Sequence, residues 1–148
     1  MSYFIFLKDS DNIEATIYKI AENQSDLNNL NILQNSYKII EDSQSNFNSV
    51  KLRTKLPIKY NNNTITYIDQ IISFKDKNKI QNYVNSFKQQ IKNFTDSNPN
   101  HPSFNLWDNY YNQLNNLNLD SITYPLDKSL EQYFSDVGQT SLNPLQIP

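Results

Sequence analysis

The stretch SFKDKNKIQNYVNSFKQQIKNF, residues 73–94, decides the fold, because within it the apolar side chains take up the spacing of a helix. Ile80, Tyr83, Val84, Phe87, Ile91 and Phe94 recur at i, i+3, i+4, i+7, i+11 and i+14. Side chains three and four apart fall on one face of a 3.6-residue turn, so these six form a single stripe that must be covered. Ser73, with Asp76 three positions on, supplies polar groups able to accept from the free amides of a first turn.

Towards the C-terminus, TDSNPNHP (95–102) ends the period with two prolines. Ser103 then stands where a cap is needed, and Phe104, Trp107, Tyr110, Tyr111, Leu114 and Leu117 repeat the helical spacing. Two helices joined by a short loop pack side by side and antiparallel. Trp107, Tyr110, Tyr111, Leu114 and Leu117 should therefore be a core seam, packed against Ile80, Tyr83, Phe87 and Ile91. After SITYP (121–125) a third, short helix is expected, with Asp127 as cap and Leu130, Tyr133, Phe134 and Val137 as its face. Gly138, the single glycine of the chain, sits at the C′ position where a left-handed residue stops a helix. The stretch QTSLNPLQIP (139–148) has two prolines and no helical period, and reads as an extended tail.

Towards the N-terminus the period shortens to that of strands. KLRTKLPIKY (51–60) and TITYI (64–68) flank Asn61, Asn62 and Asn63, residues that tolerate the left-handed backbone of a tight hairpin. Pro57 makes the first of these an edge strand or marks a bulge. YFIFL (3–7) and ATIYKI (15–20) flank DSDN, a polar turn, and YKII (37–40) is a third strand. QSDLNNLN (24–31) holds a short helical turn, and EDSQSN (41–46) reads as a polar connection. The expected class is α+β in a single domain of 1–148. Residues 1–70 are mainly strands, an antiparallel sheet; 73–138 are mainly helices, an antiparallel hairpin plus a third helix; 139–148 are the tail.

Composition limits the chemistry. Net charge is −2 and the pI lies near 5.3, so the chain as a whole exerts no attraction on nucleic acid or anionic lipid. No cysteine is present, which removes disulfides, thiolate nucleophiles and sulfur-ligated zinc. One glycine, at a helix end, cannot build a Walker loop or a dinucleotide fingerprint. His101, the sole histidine, lies between prolines in a loop and reads as a spectator, since metal sites recruit several ligands. Asp9, Asp11 and Glu14 in DSDNIE imitate a calcium loop, but Ile13 takes a ligand position and the loop glycine is missing. Asp127 and Glu131, four apart, read as first-turn acids complementing a helix dipole. The sequons at Asn23, Asn62 and Asn93 are what abundant Asn, Ser and Thr produce, and are taken as unmodified.

No apolar run reaches the roughly 20 residues of a membrane span, and the start MSYFIFLKDSD lacks the features of a signal peptide. No cofactor is expected, and the virion or the host cytoplasm is the expected location. Two surfaces offer themselves to partners. Lys51, Arg53 and Lys55 alternate with Leu52, Thr54 and Leu56, so that on a strand they make a basic ridge, fit either to guard an edge or to touch a phosphate backbone. In the tail, Leu142, Pro144, Leu145, Ile147 and Pro148 can fill a groove on a neighbour, or fold back over the helix hairpin.

LWDNYYNQLNNL (106–117), then ITYP (122–125), then NPLQIP (143–148), resembles the W-x-x-Y-x-x-x-L helix and proline-rich end of tail-fibre assembly proteins of tailed bacteriophages. The residues that carry the resemblance are Trp107, Tyr110, Leu114, Leu117, Pro125, Pro144 and Pro148; an additional helix lies between the two parts here. YFIFLKDSDN followed by ATIYKIAENQSDLNNLNI also looks like small structural proteins of marine tailed phages. The resemblance implies a non-enzymatic structural or assembly protein of a phage particle that works by docking. Its partners would be other tail or fibre proteins, and further copies of the chain itself. A tail-fibre assembly chaperone, a nucleic-acid-binding protein using the 51–55 ridge, and a hydrolase assembled from dispersed carboxylates are the alternatives.

Overall fold

A computed structural model of the chain describes every residue except 9–16, 34 and 72–73, and every described side chain but that of Lys59. The class is α+β. β1 (Ser2–Leu7) is the middle strand of a three-stranded antiparallel sheet, flanked by β2 (Ile17–Ala21) and β3 (Tyr37–Asp42). Its residues Tyr3, Phe4, Ile5 and Phe6 are all buried, which explains an unbroken apolar run: a strand covered on both faces has no polar side to alternate with. Between β2 and β3 runs α1 (Gln24–Asn29), whose first turn is capped by the Asn23 side chain.

The polar stretch after β3 is a helix, not a connection. α2 (Gln44–Lys51) begins at Ser43, whose hydroxyl accepts from the Asn46 amide, and it buries only Phe47 and Val50. Those two meet Phe4, Phe6, Ile20 and Ile40 to form the sheet core, with Phe4 and Phe47 stacked at 6.4 Å. The hairpin β4 (Lys55–Asn61) and β5 (Thr64–Asp69) closes this core through Tyr60, Ile65 and Tyr67. Asn62 and Asn63 have φ of 50° and 64°, as a two-residue turn between paired Asn61 and Thr64 requires. The ladder slips between Pro57 and Lys59, where proline has no amide to give.

α3 (Lys77–Ser97) and α4 (Phe104–Asn115) make the antiparallel hairpin: Phe94 meets His101 at 5.0 Å, and one turn or more away Phe87 meets Trp107 at 6.1 Å and Tyr110 at 5.4 Å. Asp76 caps α3; Ser73 lies outside the described residues. Ser103 stands at the start of α4 without a side-chain cap bond. Trp107, Tyr110 and Leu114 are buried in the helical core, and Tyr111 and Leu117 pack on its margin, Leu117 beyond the end of α4. α5 (Leu130–Asp136) is capped by Ser129, not Asp127. Gly138 follows it at φ 75°, and the bonds from Gly138 to Ser135 and from Gln139 to Phe134 complete a Schellman stop. No helix among the described residues is long and apolar enough to cross a membrane.

The tail is not a free arm. Asn143, Pro144 and Ile147 are buried and residues Pro144–Gln146 form a 3-10 turn. Leu142 and Ile147 pack on the helical core while Leu145 packs on the sheet core. Of the five residues expected to meet a partner, only Pro148 is exposed. The reason is the apolar surface left open where the two cores meet, which the chain's own leucines cover.

Candidate functional site at the seam between the cores

The seam is organised by the end of α2. Leu52 closes that helix and Arg53 follows with φ 58°. The amide of Arg53 bonds to Val50 and that of Thr54 to Ser49, at 3.0 and 2.9 Å, a Schellman stop with arginine where glycine is cheapest. The turn breaks the alternation that would have set Lys51, Arg53 and Lys55 on one side of a strand. Lys51 ends the helix, Lys55 opens β4, and the Arg53 side chain turns inward. No basic ridge forms.

Arg53, the only arginine of the chain, places its guanidinium 4.5 Å from the centre of the Tyr83 ring. One of its terminal nitrogens donates to Gln70 Oε1 at 3.1 Å. The Tyr83 hydroxyl in turn donates to Glu131, which has no exposed surface at all. Burial pushes the Glu131 carboxyl up to about 7, against the pull of the Arg53 charge and the Tyr83 hydroxyl. Burial and the Glu131 charge likewise push the phenols of Tyr83 and Tyr110 up. Glu131 Oε2 and Arg53 Nε are buried without a hydrogen-bond partner among the described residues. Glu131 does stand in the first turn of α5, with its side chain buried; Asp127, the other member of that pair, precedes the Ser129 cap, lies outside the helix and accepts from the Tyr133 hydroxyl at 2.9 Å.

Further polar bonds cross the same seam. The Ser129 hydroxyl donates to the Leu52 carbonyl, and Asn143 Nδ2 donates to the Val50 carbonyl at 2.5 Å. Asn143 Oδ1 meanwhile accepts from the Leu145 amide at 2.9 Å. Lys19, from β2, donates to the Ile147 carbonyl. Helix α2 thus has its last carbonyls met by side chains from the helical half, where a free helix would present them to water.

A carboxyl that keeps its proton near neutrality is what acid catalysis uses. Glu131, however, is closed off from solvent, and the surface clefts of about 200 to 400 Å3 are lined by other residues. Among the described residues no three of His, Cys, Asp and Glu stand together as metal ligands; Asp9, Asp11 and Glu14 lie outside the described residues. The polar cluster joins the two cores, with the Glu131 carboxyl inside.

One of these clefts, of about 360 Å3, opens between α1, the α3–α4 turn and the C-terminal segment. Leu106, Leu30, Leu142, Pro102 and Pro148 supply its exposed apolar surface, and the buried Ile20 and Trp107 stand behind them. Asp26, Asn29, His101, Ser103 and Gln146 are its polar groups. His101 is fixed: its Nδ1 accepts from the Ser103 amide at 3.0 Å and its ring meets Phe94 edge-on. The sequence reading placed Trp107 in the core and His101 in a loop, but it missed that the two border one opening; α1 brings Asp26 there, and nothing in local spacing signals that approach.

No protein-family model matches the chain, and no curated protein or solved structure matches it.

Proposed function

We propose that the chain is a non-enzymatic structural or assembly component of a tailed-bacteriophage particle, and that it works by docking to another protein at the cleft beside Trp107. The observation that carries the docking reading is the contrast between the seam's two features. The acid best tuned for chemistry, Glu131, is sealed, whereas the cleft exposes Leu106 to 46% beside a tryptophan. Leu106 shares its opening with the partly exposed Leu30 and Leu142, and apolar side chains grouped in one opening, rather than scattered singly, mark a docking surface. The assignment to phage particles is supported by the likeness of residues 106–126 and of the proline-rich end to tail-fibre assembly proteins. The tail no longer serves as the docking element in this reading, because it is occupied within its own chain.

The test is quantitative mass spectrometry of particles purified from cells that carry the gene with its neighbours. A structural component is expected in fixed ratio to the other virion proteins. An assembly chaperone is expected to be missing from particles but needed for fibre attachment. Absence from particles together with normal assembly after deletion of the gene overturns the proposal.

A further inference from the structure

The cleft beside Trp107 has a chemistry of its own that narrows what it takes, and the inference rests on the docking reading above. Its one carboxylate side chain, Asp26, is exposed and has no ion-pair partner among the described residues, and no lysine or arginine lines the opening. The Asp26 amide is held by Asn23 at 2.9 Å, so the residue has a fixed place on the rim. His101 has its Nδ1 used as an acceptor, which in the neutral ring leaves the Nε2 hydrogen as a donor. Leu30 and Leu106 line the same opening, with the buried Trp107 behind them. A complement to this surface carries an apolar side chain for the leucines, a cation for Asp26, and an acceptor such as a peptide carbonyl for His101.

The volume sets the scale. About 360 Å3 is at the small end for ligand sites, which span roughly 300 to 1,000 Å3. A volume of that size is of the order of a few side chains. We infer that the cleft receives a short peptide segment of a partner protein in which an apolar residue stands next to a lysine or arginine.

Panning a random dodecapeptide display library against the full chain tests this, followed by titration of the enriched peptides. Trp107 is the only tryptophan and, though almost wholly buried, lies against the cleft, so a change in its surroundings on binding shows in its emission. Enriched sequences are expected to share an apolar residue beside Lys or Arg and to shift that emission. Asp26→Lys and Leu106→Asp, both at exposed positions, are each expected to weaken binding by about tenfold or more, with the circular dichroism spectrum and Tm unchanged. No enrichment, an enriched set without cations, or equal binding by both variants overturns the inference. The two readings part cleanly. Particle association without peptide selection leaves docking in place on another face, and peptide selection by a chain found in no particle and needed for no assembly leaves the cleft and removes the phage role.

Discussion

The guanidinium of Arg53 lies 4.5 Å from the centre of the Tyr83 ring, and the hydroxyl of the same tyrosine donates to the buried Glu131. One aromatic side chain therefore joins a cation from the sheet half to an anion-forming group from the last helix. The backbone of Arg53 is held in the left-handed region for this purpose, at φ 58°.

That arrangement predicts an order of stabilities. Arg53→Gly relieves a left-handed residue of roughly 1 kcal/mol, but loses a cation–π contact of about 1 kcal/mol and a charged hydrogen bond of about 2 kcal/mol. The glycine variant should be less stable than the native chain by about 2 kcal/mol, and Arg53→Ala lower by about 1 kcal/mol again. Urea unfolding measures both. An alanine variant as stable as the glycine one would show that the backbone conformation costs nothing.

The carboxyl of Glu131 gives a pH dependence with a definite sign. Its folded value of about 7 lies above the ordinary 4.5, so the folded state binds a proton that the unfolded state has released. The stability it contributes is full below about pH 4.5 and is lost as pH rises through 7. The loss is on the order of 3 kcal/mol. Glu131→Gln cannot ionise, and the difference in unfolding free energy between it and the native chain should grow in the variant's favour from pH 5 to pH 8. A constant difference across that range would contradict the burial of the carboxyl.

Asn143 is predicted to be intolerant of charge. Asn143→Ala removes the bonds to Val50 and Leu145 and should cost about 2 kcal/mol. Asn143→Asp keeps the acceptor but replaces the donor by a buried anion facing the Val50 carbonyl, and should cost more than alanine does. Denaturant midpoints decide the order, with aspartate above alanine as the contrary result.

Gly138 isolates a backbone effect. A Cβ built there would meet nothing within 4 Å, yet φ is 75°. Gly138→Ala should therefore lower stability by about 1 kcal/mol through conformation alone, and Gly138→Asn by less, since asparagine visits this region more readily. Equal losses in a thermal melt would point to side-chain contact instead.

The parts of the fold legible in the sequence are those whose signal is local. The stripe from Ile80 to Phe94 and its continuation through Trp107 and Tyr110 determine the hairpin, and the three asparagines before Thr64 mark the tight turn. Helix α2 escaped because it buries only Phe47 and Val50, too few for a period, and because Leu52 and Leu56 just beyond it imitate an alternating strand. Arg53 was placed on that strand for the same reason, and its inward turn depends on a left-handed residue that composition alone does not favour. Glu131 looked like an ordinary first-turn acid, since its burial is decided by Arg53, Tyr83 and the C-terminal segment, all remote in sequence. Leu142, Leu145 and Ile147 are expected from the sequence either to fill a groove on a neighbour or to fold back over the helix hairpin. Whether the cover belongs to a neighbour or to the same chain is a tertiary fact, and the structure gives it to the chain itself. The cleft beside Trp107 was illegible for a related reason, as Asp26 and His101 belong to separate elements.

The hold of Asn143 on Val50 has a consequence for biosynthesis. A ribosome delivers the sheet strands and α2 first, so the Val50 carbonyl waits for a side chain that emerges only after both long helices have been made. Until then Leu52 lacks Ser129 and the apolar seam stands open to other proteins in the cell. Nascent chains stalled at residue 135 should accordingly be cut by protease between the two halves, and chains stalled far enough downstream to release Ile147 from the exit tunnel should resist it.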